Sequence, residues 1–450
     1  MATETETVDP VAESSFIYLA DEDDTADWEI IRRGDEGSSI TKLVKLYNEA
    51  LTQTDVLRAM DHIVENVTEQ GPIRPPPTSE QANKDKEQKE QLGKIRDLIK
   101  SLCHDKTSPG KNFATPPPTQ FLHRREAPAT WEAKPPTPPT GEKWAYDPRV
   151  ISDDDGWKFN GYPGTYTPTV EDAKKNTYFW SLADLLGLFF AKLGPAPPDA
   201  TALNFFLPIT ALYVRWTKIL MPNQLTSLKS KEVVKMHPPD PTIPDPNNPP
   251  KDAVGTSPKA PFMYQCTWTN IETGKGHNVN FALGGSINGH HDMLKATMLG
   301  YDHSYKRFLL LSNFADAEGL KEFEVKKQNL KGGIITETVG WAFENAIEEH
   351  KFGNCAETYP FIQFLMKSSE PASVKGFSLM TAAVNKTSNY NSSNILKRKE
   401  ITFEDHKVNK LKFIAAPCSN CQLLVDTAKP EISGEFSPDA VFPEKKPSAP

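Results

Sequence analysis

Cysteine is scarce: the 450-residue chain has 5. Three of them fall in one constellation described below, which leaves too few for a disulfide framework, and a reducing compartment, cytosol or nucleus, is expected. Long apolar runs are missing too. The most apolar windows, Tyr178–Leu193 and Leu203–Leu220, are short for a membrane span or interrupted by Asp184, Lys192, Pro208 and Arg215. They are expected to be buried helices, and no membrane partner is expected. No basic start leads into an apolar stretch, so no signal peptide is expected. A positive surplus is also absent, since the formal net charge is −8. That value hides an asymmetry. Residues 1–37 carry 12 Asp and Glu against 2 Arg, a net of −10, so the other 413 residues sum to about +2. The acidity belongs to the leader and not to the rest of the surface.

Proline is what the chain has in excess, 39 residues against a usual share of about 5%. The prolines cluster, and the clusters divide the chain. Residues 1–37 are expected to be an acidic disordered tail. Residues 38–107 hold three helical repeats of apolar residues, beginning with Ile40, Leu43, Val44, Tyr47 and Leu51. Residues 108–169 form a Pro-rich linker that favours extended polyproline II; it is read first as a tether lying across the surface and second as a PxxP ligand for an SH3-like protein partner. Residues 170–236 are an apolar helical region, with helices expected over Val170–Lys192 and Ala202–Leu220. Their aromatics (Phe179, Trp180, Phe189, Phe190, Phe205, Phe206, Trp216) are expected to be core rather than a base-stacking platform. The Pro-rich loop 237–260 is taken as the main domain boundary. Residues 261–430 come next, and 431–450 are expected to be a disordered tail.

From Pro261 the pattern changes. Met263–Ile271 and His277–Leu283, joined by the turn Glu272–Gly276, predict a β-hairpin. Helices are expected over Asp292–Leu299, Ile334–His350 (Ile335, Val339, Phe343, Ile347) and Cys355–Met366. Phe377–Val384 and Leu411–Ala416 are expected to be strands, with the polar stretch Lys386–Lys410 between them read as a loop. The Gly284-Gly285-Ser286 stretch lacks the Lys-Ser/Thr of a phosphate loop and is read as a turn. His290-His291-Asp292 lacks the spacing of a helical metal pair.

The chemistry concentrates in two motifs, Gly353-Asn354-Cys355-Ala356-Glu357 and Ala416-Pro417-Cys418-Ser419-Asn420-Cys421. Three thiolates can hold Zn²⁺ and leave its fourth tetrahedral position to water, as a catalytic site requires. A structural site would need a fourth protein ligand, and neither Cys266, Cys103 nor a histidine stands at the usual spacing.

The pairing of Cys-Ala-Glu with Pro-Cys-x-x-Cys resembles the cytidine deaminase superfamily. The form Gly-Asn-Cys-Ala-Glu is similar to divergent, toxin-related deaminases of bacteria and fungi. The resemblance covers roughly residues 260–430. It implies an α/β fold, a mixed sheet flanked by helices, preceded here by a mostly helical N-terminal region. It implies a zinc-dependent hydrolase with Cys355, Cys418 and Cys421 as metal ligands and Glu357 as the proton shuttle. The backbone at Ala356 and Ala416 would touch the edge of the flat base. Thr358 and Gln422 stand where free-nucleoside deaminases of this family carry arginine, and the 62 residues between Cys355 and Cys418 exceed the family's usual gap.

Three functions compete on the sequence. The first is a deaminase of cytosine in a single-stranded nucleic acid. The second is a deaminase of a free nucleoside or nucleotide, and the third a non-catalytic zinc module that recruits partners. Glu357 argues against the third. The insert Lys386–Lys412 bears 7 Lys and Arg against 3 Asp and Glu, with Tyr390 among them. Basic charge beside an aromatic suits a single strand, with Lys397, Arg398 and Lys399 as the expected phosphate contacts; a solvated lysine-rich loop is the competing reading.

Overall fold

Polar and apolar residues alternate along Met263–Thr273, and this alternation gives the central sheet two different faces. The computed structural model describes residues 38–66, 79–102, 150–152, 159–160, 178–179, 181–197, 200–221, 260–273, 276–287, 307–308, 310–312, 322–328, 334–340, 352–366, 374–385, 387–398, 411–428 and 434–443. Helices α1 (Ser38–Glu49), α2 (Gln53–Asn66) and α3 (Ser79–Leu102) come first. They are followed by the short antiparallel strands β1 (Val150–Ser152), β2 (Phe159–Asn160) and β3 (Tyr178–Phe179). Helices α4 (Leu182–Ala191) and α5 (Leu207–Leu220) lead to strands β4 (Met263–Thr273) and β5 (Gly276–Gly285). A second hairpin, β6 (Glu322–Gln328) with β7 (Ile334–Gly340), stands apart in sequence. The remainder is α6 (Thr358–Phe361), β8 (Val374–Met380), α7 (Ser392–Ile395), β9 (Ile414–Ala415), α8 (Ser419–Ala428) and α9 (Pro438–Val441).

The central sheet has the order β5-β4-β8-β9, with each pairing antiparallel. Cys266 sits between Leu283 and Phe377, and Gln265 between Gly284 and Ser378. The even-numbered side of β4 (Tyr264, Cys266, Trp268) is apolar and buried. Helices α4 and α5 cover it. Trp268 stacks on Phe206 at 4.2 Å, Tyr264 meets Tyr213 edge-on at 5.1 Å, and Phe281 meets Phe205 at 5.5 Å. Each such side chain contributes about 1.5–3 kcal/mol on burial. The odd-numbered side is polar yet equally buried: Gln265, Thr267 and Thr269 are all at 0% exposure. This second face carries the site.

Local sequence explains the covering helices. Ser181 caps α4 by accepting from the backbone N–H of Asp184 at 3.0 Å. A capping box of Thr201 and Asn204 opens the π turn Ala202–Phe206, which runs directly into α5, and Pro208 at that junction has no backbone N–H to offer the preceding turn. Arg215 of α5 ties the N-terminal helices in. It donates to the carbonyls of Ala50 (3.3 Å), Asn385 (3.3 Å) and Ser388 (2.8 Å), with its guanidinium 4.4 Å over the Tyr47 ring.

Several expectations are corrected. The sheet's described pairings are all antiparallel, not mixed. The composition break at 237–260 does not separate two cores, because α1–α5 and the sheet share one continuous apolar cluster. Ile334–Gly340 is a strand and not the start of a helix. The spacing of four between Ile335 and Val339 fits both a helical turn and one face of a strand, and the β-branched residues Ile334, Ile335, Thr336, Thr338 and Val339 favour the strand. Residues 341–350 lie outside the described set. Ser181 starts α4 much later than Val170, with a strand before it. The strand expected over Phe377–Val384 runs instead over Val374–Met380 and then passes into a 3₁₀ turn. Gly284 and Gly285 end β5, so they form no turn. The expected tail at 431–450 contains α9, with Phe436 packed on Phe361 (5.3 Å) and Phe442 on Phe377 (5.1 Å). The hairpin, the three N-terminal helices and the aromatics of α4 and α5 match the expectation, and the latter are buried. Trp180, His290-His291-Asp292 and the helix expected over Asp292–Leu299 lie outside the described residues.

One outcome follows from the shared core. A fragment of residues 255–435 lacks α4 and α5 and exposes Tyr264, Trp268 and Phe281. It is expected to be insoluble or molten by near-UV circular dichroism, while the full chain shows a cooperative melt. A soluble fragment with a cooperative melt would restore the boundary at 237–260.

Candidate metal centre

The cysteine loop approaches the polar face of the sheet at β5. A Cβ added to Gly284 would strike the carbonyl oxygen of Ala356 and come within 2.7 Å of Pro360 Cδ. The glycine is therefore what lets the first motif lie against the strand. The loop itself turns at Gly353, whose φ of +88° is in the left-handed region, and a Cβ there would sit 2.6 Å from the backbone nitrogen of Phe308. Asn354 O accepts from Ile287 N at 2.8 Å, which ties the loop to the end of β5. Pro360 is the third residue of α6, where an intrahelical hydrogen bond is not yet due, and the helix widens into a π turn over Ile362–Met366.

The second motif comes off β9. Ala416 and Pro417 lead from the strand to Cys418, which immediately precedes α8, and Cys421 lies in its first turn. The backbone N–H of Gln422 donates to Cys418 O at 2.8 Å. β9 pairs with β8 through Ser378↔Ala415, so the sheet brings this motif beside the first.

The sulfurs of Cys355, Cys418 and Cys421 all lie within 4.8 Å of one another. Cys355 Sγ and Cys418 Sγ are 3.2 Å apart, too far for a disulfide bond of about 2.05 Å. A tetrahedral metal about 2.3 Å from each sulfur would separate them by about 3.8 Å, which this cluster accommodates with a small adjustment. Among the described residues no fourth His, Cys, Asp or Glu joins the group. The three cysteines could thus hold a metal ion. Cys266 is buried elsewhere, on the apolar face, where burial pushes its thiol up to about 12.

Glu357 is 5% exposed beside the sulfurs. Burial, with the charge of Cys418 second, pushes its carboxyl up to about 8. Ser378 Oγ lies 3.2 Å from Glu357 Oε1 and 2.5 Å from Gln265 Oε1. One hydroxyl hydrogen serves one acceptor at a time, so a proton on Glu357 completes the chain from carboxyl to Ser378 to Gln265. Gln265 Nε2 in turn donates to Cys266 O (3.1 Å) and Thr267 Oγ1 (3.0 Å), which fixes the amide's orientation. This polar column is what the odd-numbered face of β4 is for.

Of the residues named from sequence, Cys355, Cys418, Cys421 and Glu357 are brought together. Ala356 is buried under the loop and Ala416 is exposed at its rim. The basic insert is different. Lys397 is exposed, but Arg398 pairs with Asp439 at 2.7 Å, and Lys399 lies outside the described residues. Tyr390 is turned inward, edge-on to Tyr47 at 5.6 Å, so it is not a stacking platform for a base. Sequence reasoning missed Ser378, Gln265 and a buried pair, Asp184 with Arg307. A signal existed for Gln265 in the polar residues alternating along β4, and for Asp184 as an acid inside an apolar run. Arg307 had none.

Hydrogen bonds among the cysteines, then burial, hold the thiols of Cys355 and Cys421 well above the usual range. Without a cation these two are protonated at neutral pH, and a metal must displace those protons to bind. Affinity for the ion is therefore expected to rise with pH across the neutral range. Calorimetry of zinc binding in buffers of different ionisation enthalpy should show at least two protons released per ion at pH 7. Release of none would mean that these cysteines are not the ligands.

Comparison with known protein families, with curated proteins and with solved structures finds no match to this chain.

Proposed function

We propose that the chain is a zinc-dependent hydrolase that deaminates a nucleobase, with cytosine as the first candidate. The observation that supports this most is the placement of a buried carboxyl, Glu357, beside three clustered cysteines that have no fourth protein ligand among the described residues. Thiolate softness suits zinc. Cys355, Cys418 and Cys421 would hold the ion, which supplies a water acidified enough to attack near neutral pH.

The chain's own residues then handle the protons. Glu357, braced at Oε1 by Ser378, takes a proton from the attacking water and delivers it to the amine nitrogen as that group leaves. Its place beside the sulfurs, out of bulk water, suits a carboxyl that exchanges protons with a water held there. Burial of Glu357 and Ser378 keeps bulk water from competing for the proton. A structural metal site has no use for a carboxyl in this position.

The carrier of the base can be a single-stranded nucleic acid or a free nucleoside or nucleotide. The insert's charge supports the strand. Two observations favour the smaller substrate: Tyr390 packs on Tyr47, and Arg398 already faces Asp439. Pro-rich segments remain a route to a protein partner, independent of the chemistry.

The test is a substrate panel of single-stranded DNA, RNA, free nucleosides and nucleotides, with Glu357→Gln as the control. Wild type is expected to convert at least one amino base to its keto product. Glu357→Gln is expected to lose about 10²- to 10⁴-fold in rate while its zinc content and melting temperature stay near wild type. Full activity in Glu357→Gln would remove the mechanism, and loss of zinc would make the residue structural.

A second measurement separates the carriers. Lys397→Ala with Lys399→Ala should flatten the log–log salt dependence of single-strand binding by up to about 1.4, at about 0.7 per phosphate contact. An unchanged slope would leave the free nucleoside or nucleotide as the carrier.

A further inference from the structure

A guanidinium sealed inside a protein needs a reason, because the charge is costly to desolvate. Arg307 is 1% exposed, and nothing in the proton chemistry above uses it. Its Nη2 donates to the carbonyl of Cys355 at 2.6 Å and its Nη1 to the carbonyl of Gly285 at 3.0 Å. Asp184 Oδ1, from α4 on the other side of β5, lies 3.6 Å from Nη1, and the Tyr359 ring centroid is 5.2 Å from the guanidinium carbon. The planar fork thus spans two main-chain carbonyls, one at the end of the sheet and one on the first cysteine of the metal cluster.

The neighbouring residue makes the same junction from outside. Phe308's backbone is so close to Gly353 that a side chain there would collide with it. The 307–308 segment is therefore a wedge against the cysteine loop. The backbone N–H of Thr358 also donates to the Cys355 carbonyl, at 3.3 Å, and its hydroxyl lies 2.9 Å from that oxygen and 3.1 Å from the carbonyl of Gly353.

We propose that Arg307 is a positioning residue for the metal centre. It pins the main chain of Cys355 to the end of β5, while Asp184 holds the guanidinium in place from behind. The inference rests on the metal reading of the three cysteines. Its physical content is that a ligand's geometry is set by what grips it: outer groups that orient a ligand affect metal affinity without touching the ion. Lysine keeps the charge of Arg307 but presents no planar fork, so it cannot hold both carbonyls at once.

Two variants of the full chain test this. Arg307→Lys keeps the charge and loses the fork. The double variant Asp184→Asn with Arg307→Met removes both charges, so neither is left buried alone. Zinc affinity is measured by competition with a chromophoric chelator, and the cobalt-substituted protein is compared by its visible absorption. Circular dichroism confirms folding. Both folded variants are expected to bind zinc about 10- to 100-fold more weakly than wild type, with shifted cobalt bands. Wild-type affinity and an unchanged cobalt spectrum in either folded variant would overturn the proposal and reduce Arg307 to core filling. If the double variant does not fold, Arg307→Lys decides alone. A wild-type chain that binds no zinc would bring down the metal reading and this inference together. Zinc-binding wild type with unaffected variants would bring down only this one.

Discussion

Two buried thiols, a half-buried one and a buried carboxyl are gathered between a sheet and a short helix, and the surrounding described structure answers that constraint. Gathering such groups away from water is unfavourable when they are charged, because each loses hydration and repels its neighbours. The raised proton affinities of Cys355, Cys421 and Glu357 express the same strain. A divalent cation held by the three cysteines would replace thiol protons and offset that repulsion.

The sheet provides the stage through its two faces. One face is given wholly to burial against α4 and α5, where Trp268, Phe206, Phe281 and Tyr264 interlock. That packing frees the other face to be polar and to hold small residues. Gly284 admits the loop of Cys355, and Ser378 and Gln265 meet the carboxyl of Glu357. The N-terminal helices reach the same core through Arg215 and Tyr47. They steady the segment after β8, from which the chain returns through β9 to Cys418. Support for the site therefore comes from the N-terminal helices and from α4 and α5 as well as from the C-terminal part.

The site was legible in sequence because its chemistry is carried by side chains at short, fixed spacings. Cys355 and Glu357 are two apart, and Cys418 and Cys421 three apart, so each pair is local. Their meeting across 62 residues was an expectation drawn from resemblance, and the register Ser378↔Ala415 accounts for it physically. The hairpin was equally legible, since alternation and a Gly-rich turn are local signals. The shared core was not, because proline clusters mark where the chain is extended and say nothing of which faces it later buries. The strand at Ile334–Gly340 escaped for a different reason: a spacing of four satisfies two periods at once. Arg307 left no trace, because its partners are backbone carbonyls, which have no letter in a sequence.

X-ray absorption at the zinc edge of the purified full chain tests the central claim most directly. A catalytic three-thiolate centre predicts three sulfur scatterers at about 2.3 Å and one oxygen or nitrogen near about 2.0 Å. Four sulfurs, or a protein that takes up no zinc at neutral pH, would contradict it.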